Sequence, residues 1–258
     1  EFNLPTGSFA AGPNTIAVEI HQRTADSSDI RLDMILRGEP AGGGGTNVSD
    51  PLYFVVPTTL KARSFNSGTG DWSALNEAFF SIDSEPADAG NLVISEIHYH
   101  PAEPSTTAEL DESSDRDDYE FIELHNIGSK TVDLTGVLFN DGITFAFSDG
   151  TVLSSGSRVV LVRDLAAFTA RYGAPAPGLV AGEYSGRLSN DGEQVTLAKL
   201  GVGILHDLTY NDQLPWPIDA DGSGFSLVLL NPESAPDHAL PANWTAGSTV
   251  GGTPGGTD

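Results

Sequence analysis

The side chains best suited to chemistry lie in two strand-like stretches, residues 92–101 and 117–126. Both alternate apolar and polar residues and are rich in β-branched and aromatic side chains, the pattern of a β-strand. Their polar residues on one face are Glu96, His98, His100, Glu123 and His125. Imidazole and carboxylate groups together suit zinc, iron or copper, so His98, His100 and His125 are candidate transition-metal ligands. The alternative, which we favour, is a solvated polar face.

The same face also contains a possible pair of catalytic carboxylates. Glycoside hydrolysis requires two acidic side chains that flank one bond, and Glu96 with Glu123 on adjacent strands is such a pair. No Gly-x-Ser-x-Gly motif, no phosphate-binding glycine loop and no cysteine occurs in the sequence. We therefore predict that the chain has no catalytic residues and is not an enzyme, with a small metalloenzyme built on the histidine face as an alternative.

A second candidate metal site is the loop 219–224, whose oxygen-bearing side chains Asp219, Asp221 and Ser223 alternate along the chain. This spacing resembles the first half of a calcium loop, but the twelfth position is Leu230 rather than glutamate, which excludes an EF-hand. A plain turn is the alternative. The acidic loop 109–118 has six carboxylates and a single arginine, and we expect it to be solvated and mobile, with calcium as a further possibility.

The three tryptophans, Trp72, Trp216 and Trp244, are the candidate carbohydrate-binding residues because indole rings stack on sugars. Their alternative role is packing within a core. A carbohydrate-binding module is accordingly the second functional hypothesis, and it requires at least two tryptophan rings exposed in one plane.

Composition limits the fold and the partners. The 258 residues include 29 glycines and 16 prolines, and turn signals interrupt the strand-like stretches, so antiparallel β structure is predicted. The formal charge of −24 argues against nucleic acid and anionic membranes as partners and favours cations. No cysteine is present, so neither disulfides nor cysteine-ligated metals occur. No apolar run is long enough to span a membrane.

The first ninety residues are predicted to form a smaller N-terminal β unit. Residues 1–38, with Asn14-Thr15-Ile16-Ala17-Val18-Glu19, resemble the last two strands of a galactose-binding-like jelly roll. Residues 39–51 contain four consecutive glycines and are predicted to be a flexible linker. Residues 52–90, with Trp72-Ser73-Ala74-Leu75, resemble the end of the small β-sandwich that follows some chitobiases. Each resemblance covers only part of a domain.

Residues 91–258 carry a more specific resemblance. Ile94-Ser95-Glu96-Ile97-His98, Glu120-Phe121-Ile122-Glu123-Leu124, Val132-Asp133-Leu134-Thr135-Gly136 and a terminal Gly252-Thr253-Pro254-Gly255 follow one another in the order typical of a bacterial lamin-tail domain. Between them, a hairpin is predicted at Asp141-Gly142 and a helix at Leu165 to Tyr172, which Asp164 caps and Gly173 ends. The resemblance implies an all-β, immunoglobulin-like β-sandwich.

These observations lead to one functional prediction. We expect a monomeric, non-catalytic adhesion, spacer or ligand-binding module of a larger secreted or cell-surface polypeptide. Its partners would be polysaccharides or other surface proteins, and it would require no cofactor, with calcium as a possible ligand. Acidic, cysteine-free chains rich in threonine, serine and glycine are frequent among secreted bacterial surface modules.

Calcium binding can be tested by thermal unfolding. If Asp219 and Asp221, or the loop 109–118, bind calcium, millimolar calcium should raise the melting temperature by a few degrees relative to a chelator, since a ligand of the folded state stabilises it. Equal melting temperatures with calcium and with chelator would reduce both loops to turns.

Overall fold

A computed structural model describes residues 84–257, together with the backbone of four short strands between residues 58 and 80. The chain divides into two compact units, Glu1–Ile82 and Asp83–Asp258. The strands described in the first unit are β1 (Thr58–Ala62), β2 (Phe65–Asn66), β3 (Asp71–Trp72) and β4 (Asn76–Phe80). Strand β1 pairs antiparallel with β4, and β2 with β3. The predictions for 1–38 and 39–51 lie outside the described residues, and the assignment of 52–90 stays a prediction.

The second unit is built almost entirely of strands. They are β5 (Ser84–Pro86), β6 (Leu92–His98), β7 (Phe121–Asn126), β8 (Thr131–Asp133), β9 (Val137–Asp141), β10 (Ile143–Ala146), β11 (Val152–Leu153), β12 (Arg158–Val162), β13 (Val180–Glu183), β14 (Ser185–Gly186), β15 (Gln194–Lys199), β16 (Gly203–Thr209), β17 (Leu227–Leu229) and β18 (Trp244–Ala246). Two short α-helices, α1 (Thr107–Glu112) and α2 (Leu165–Tyr172), interrupt them. Single 3-10 turns lie at Arg116–Tyr119, Ile218–Ala220, Pro232–Ser234 and Pro241–Asn243. The predicted all-β class is confirmed.

These strands form three sheets. The largest has six strands in the order β13, β12, β7, β6, β17, β18, and the second has five in the order β14, β10, β9, β15, β16. A small third sheet joins β11, β8 and β5, with β5 parallel to β8. Among the described residues, none of the helices has both the length and the apolar character needed to cross a lipid bilayer.

The main core lies between the six-stranded and five-stranded sheets. Ile97 of β6 and Ile122 and Leu124 of β7 are fully buried there, and they belong to the same apolar cluster as Phe139 of β9 and Leu197 of β15. These are inward positions in the alternating pattern, because successive side chains of a strand point to opposite faces. Alternation with Glu96 and Glu123 predicts an inward face of Val93, Ile97, Ile122 and Leu124. The structure confirms it for Ile97, Ile122 and Leu124, but a register shift between Ile94 and Glu96 places Val93 opposite His125 instead.

A second, smaller apolar cluster covers part of the other face of the six-stranded sheet. Phe121 of β7 and Val160 of β12 pack there against Phe168 and Tyr172 of α2. Helix α2 has the predicted bounds: the Asp164 carboxylate accepts a hydrogen bond from the Ala167 N–H at 2.8 Å, and Gly173 follows the last turn. Local capping signals were sufficient to locate this helix.

The acidic loop 109–118 differs from the prediction of a solvated, mobile segment. It includes most of α1 and the start of a 3-10 turn, and Glu109 and Asp117 are buried. Thr106 caps α1, since its hydroxyl accepts from the Glu109 N–H while the Glu109 carboxylate accepts from the Thr106 N–H. This capping box can be recognised in the sequence, and we overlooked it. The strand predicted for residues 117–126 correspondingly begins only at Phe121.

The predicted hairpin at Asp141-Gly142 is present. Strands β9 and β10 are joined by a tight turn at Gly142, and β15 pairs with β16 along its whole length. Gly142 has a φ of 76°, in the left-handed region, and a Cβ atom on this residue would lie only 2.7 Å from the Gln194 carbonyl oxygen. Strand β15 therefore lies so close to the turn that only glycine fits at position 142.

Replacing Gly142 by alanine should destabilise the protein through both backbone strain and this collision. Gly178 is a matched control because it has a φ of 82° but a Cβ atom added there would meet no other atom within 4 Å. We expect Gly178→Ala to cost about 1 kcal/mol of unfolding free energy and Gly142→Ala at least about 1 kcal/mol more, measured by urea unfolding. Equal losses in the two variants would contradict the close approach.

Candidate functional site

The polar face of the two central strands is the candidate site, and it is buried rather than solvated. Glu96 and Glu123 lie directly opposite each other on β6 and β7, with 3% and 1% of their surface exposed. His98 and His125 on the same strands are also buried. Our expectation of a solvated face is therefore wrong, because α2 and residues far along the chain cover the outer side of the sheet.

The segment that covers the two glutamates is residues 251–256, here called the clasp segment. It is held at its start by two bonds, one from the Gly251 N–H to the Gly224 carbonyl and one from the Tyr172 hydroxyl to the Gly251 carbonyl, each 2.6 Å. Its far end is turned back by a bond from the Gly256 N–H to the Thr253 carbonyl at 2.7 Å. The clasp segment is thus an ordered part of the sheet surface.

Glu96 binds the middle of the clasp segment. Its Oε1 atom accepts hydrogen bonds from the Thr253 N–H at 2.9 Å and from the Ser226 hydroxyl at 2.5 Å. The Thr253 hydroxyl donates to the Oε2 atom at 3.4 Å. A buried carboxylate needs such donors, because taking its charge out of water without them is very costly.

Glu123 binds the next part of the clasp segment. Its Oε2 atom accepts from the Gly255 N–H at 2.6 Å, and its Oε1 atom accepts from the Ser95 hydroxyl at 2.7 Å. Arg158 of β12 supplies the neighbouring positive charge, with Nε 3.1 Å from Oε1. Burial still raises the pKa of Glu123 to about 7, since the Glu96 charge adds to the desolvation cost and only the hydrogen bonds and Arg158 oppose it.

The three candidate metal-binding histidines are not brought together. His98 lies opposite Phe121 in the strand register and packs on its ring, whereas His125 lies opposite Val93 at the other end of the pair. His100 points to another loop, where its Nδ1 atom lies 2.5 Å from Asp221 Oδ1. Within residues 84–257, no three histidine, aspartate or glutamate side chains are arranged to hold a metal ion. Their separation along β6 and β7 corrects the proposed histidine site.

The candidate calcium ligands have separate surroundings. Asp219 and Ser223 are exposed, and Asp221 is half-buried in its contact with His100. A 3-10 turn at Ile218–Ala220 shapes the start of this loop. One of the three side chains is therefore already hydrogen-bonded within the protein, and calcium binding stays a prediction.

Two of the three tryptophans belong to the core. Trp216 and Trp244 are 5% and 4% exposed, with ring centroids 6.3 Å apart, and the Trp244 indole N–H donates to the His238 carbonyl at 2.9 Å. Neither ring is available to stack on a sugar, which corrects their assignment as carbohydrate-binding residues. The side chain of Trp72 lies outside the described residues.

Sequence reasoning also missed the burial of a further glutamate, Glu120. It is fully buried, and its Oε2 atom accepts from the Tyr184 hydroxyl and from the Leu188 N–H, each at 2.9 Å. Burial raises the pKa of Glu120 to about 8 despite these two bonds. Its position directly before the apolar start of β7 was the available signal, since a polar residue there must either be exposed or find partners.

Two buried histidines, His206 and His238, lie beside the start of β6 with their ring centroids 3.8 Å apart. His238 accepts a hydrogen bond from the Ile94 N–H at 3.2 Å through Nε2, and His206 Nε2 lies 2.7 Å from the Leu92 carbonyl oxygen. Burial, followed by the neighbouring His206, lowers the pKa of His238 to about 3, and burial also lowers the pKa of His206. Burial and the Arg171 charge lower the pKa of His98 to about 3. These histidines are therefore neutral near pH 7.

Comparison with known families decides which kind of domain this is. Residues 85–212 match the family model described as the lamin tail domain. These residues form a lamin-tail-type domain. The match starts six residues before the region we predicted from resemblance and ends before Trp216, so strands β17 and β18 and the clasp segment lie beyond it. The predicted immunoglobulin-like sandwich is confirmed, and the N-terminal resemblances stay predictions.

Structural comparison gives a weaker likeness. A crystal structure of a DUF4876 family protein from Bacteroides thetaiotaomicron aligns with 81% of this chain and 85% of its own, at 9% sequence identity and a TM-score of 0.38. No curated protein sequence matches this one.

The buried glutamates and histidines of the lamin-tail-type unit predict a pH optimum of stability. The raised pKa values of Glu120 and Glu123 mean that their contribution is present at low pH and is lost as pH rises through about 7 to 8. The lowered pKa values of the histidines have the opposite effect. Their contribution to stability is lost as the pH falls below about 6.5, which is the pKa of a histidine in the unfolded chain. The free energy of unfolding should therefore be greatest at about pH 6.5 and fall by about 2 kcal/mol by about pH 8.5.

Chemical denaturation across this range measures the effect. Glu123→Gln is the control for titration, since it retains the shape of the side chain but cannot titrate, and it should remove the earlier part of the decline. Stability that is constant or rises between about pH 6.5 and about pH 8.5 would refute the prediction.

Proposed function

We propose that the lamin-tail-type domain is a non-catalytic interaction or spacer module of a larger secreted or cell-surface polypeptide. The supporting observation is that the buried carboxylates bind the main chain of the protein itself. Glu96, Glu120 and Glu123 each accept hydrogen bonds from main-chain N–H groups of the same chain, at Thr253, Leu188 and Gly255. Groups that could act as general acids or bases are therefore committed to holding the fold together.

Catalysis would require these carboxylates to contact a substrate. A general base must lie within hydrogen-bond reach of the proton that it removes, and the clasp segment occupies that position over both Glu96 and Glu123. The pair considered for glycoside hydrolysis is thus covered by the protein itself. This arrangement stabilises a sandwich, which supports a structural role for the domain.

Charge and composition support the proposed location and partners. At −24, the chain is repelled by nucleic acids and by anionic lipid surfaces, and it is suited to uncharged polysaccharides or to proteins with basic surfaces. A carbohydrate-binding role would now depend on Trp72 and on residues other than Trp216 and Trp244, because these two indoles are buried.

The proposal is tested with the full chain and a Glu96→Gln/Glu123→Gln variant in parallel. Chromogenic glycosides, esters and phosphate esters should give no turnover above buffer with either protein, and the native chain should bind saturably to an immobilised glycan or protein array. Turnover by the native chain that the double variant lacks would overturn the non-catalytic role. Absence of binding to any array surface, with no turnover, would leave the spacer role rather than the interaction role.

A further inference from the structure

The contacts between the clasp segment and the two glutamates have the properties of peptide recognition. We propose that Glu96 and Glu123 form a binding site for a Gly-Thr-Pro-Gly turn, which residues 252–255 fill here and which can accept the same segment from a second copy of this chain. We call this pair of side chains the glutamate seat. The proposal concerns the seat itself and holds whether the module serves as a spacer or as an adhesin.

Recognition by the glutamate seat is directed mainly at the peptide main chain. Glu96 accepts the Thr253 N–H at 2.9 Å and Glu123 accepts the Gly255 N–H at 2.6 Å. Residues 253–256 form a tight turn, closed by the bond from the Gly256 N–H to the Thr253 carbonyl. This turn presents both N–H groups to the two carboxylates, and the intervening Pro254 has no N–H that would be left without an acceptor. A carboxylate that accepts from a main-chain N–H forms one of the stronger hydrogen bonds in proteins.

The glutamate seat also selects the sequence of its ligand by steric exclusion. A Cβ atom on residue 252 would overlap Glu96 Oε1 and lie 2.9 Å from the Phe121 ring. A Cβ atom on residue 255 would lie 2.7 Å from the Leu179 side chain. Both residues also have a positive φ, so glycine is required at each for two reasons. Thr253 adds its hydroxyl contact with Glu96.

Nothing in these contacts requires the ligand to be covalently attached to the chain that binds it. An attached segment is favoured, since tethering gives it an effective concentration of about 1 mM or more. A second copy therefore competes only when the internal segment is weakened or displaced. The exchange of identical segments between copies is a known low-cost route to association.

A full-length variant with a displaced clasp segment tests the proposal. Gly252→Ala/Gly255→Ala should lower the melting temperature, because both new side chains collide with the glutamate seat or with Leu179. A synthetic peptide with the sequence of residues 250–257, Val-Gly-Gly-Thr-Pro-Gly-Gly-Thr, should then raise it saturably, by about 5 °C at a hundredfold excess over the dissociation constant. The same peptide with alanine at the position of Gly252 should have no effect.

Two further measurements complete the test. The milder Gly255→Ala variant, whose collision involves only the flexible end of Leu179, should also be stabilised by the peptide. The native chain should not respond, because its glutamate seat is occupied. If a variant is unfolded without peptide, the proposal requires the peptide to restore its far-ultraviolet circular dichroism. Failure of the peptide to stabilise or refold either variant, or an equal effect of the alanine-containing peptide, overturns it.

Discussion

The central strands β6 and β7 of the six-stranded sheet are buried on both faces, so the carboxylates on them need hydrogen-bond donors inside the protein. One face meets the five-stranded sheet, and the other is covered by α2 and the clasp segment. An unpaired carboxylate in such a place would cost several kcal/mol. The positions of Ser95, Ser226 and Arg158, and the course of residues 251–256, all follow from the need to supply donors to Glu96 and Glu123.

This requirement also explains why the protein carries its charge unevenly. Most of the acidic residues within 84–257 are at least partly exposed, where water solvates them, but Glu109 is buried and is held by Arg171 at 2.6 Å and by the Thr106 N–H at 2.9 Å. Although burial opposes ionisation, these bonds lower the pKa of Glu109 to about 2. Glu120 and Glu123 have weaker compensation, so the same fold contains acids with pKa values shifted in opposite directions.

Local sequence signals were sufficient to predict those features that depend on residues close together in the sequence. The alternation of Ile122 and Leu124 predicted the inner face of β7, and Asp164 predicted the start of α2. The outer face could not be predicted in this way, because Glu123 is covered by Gly255, which lies 132 residues later. A period of two residues assigns side chains to faces but does not reveal whether a face is covered. The pairing of Thr106 with Glu109 was readable and was missed.

Strand β5 has a mechanical consequence for a module that forms part of a longer polypeptide. It is the first element of the second unit, and only three residue pairs join it to β8, whereas β6 is flanked on both sides within the large sheet. Tension that arrives through residue 83 would reach β5 before it reached the core. Residues 84–91 would span about 25 Å once detached and fully extended. In a longer polypeptide this short strand would act as an extensible joint ahead of the central strands, and Ala87 would be the first core residue to leave its place.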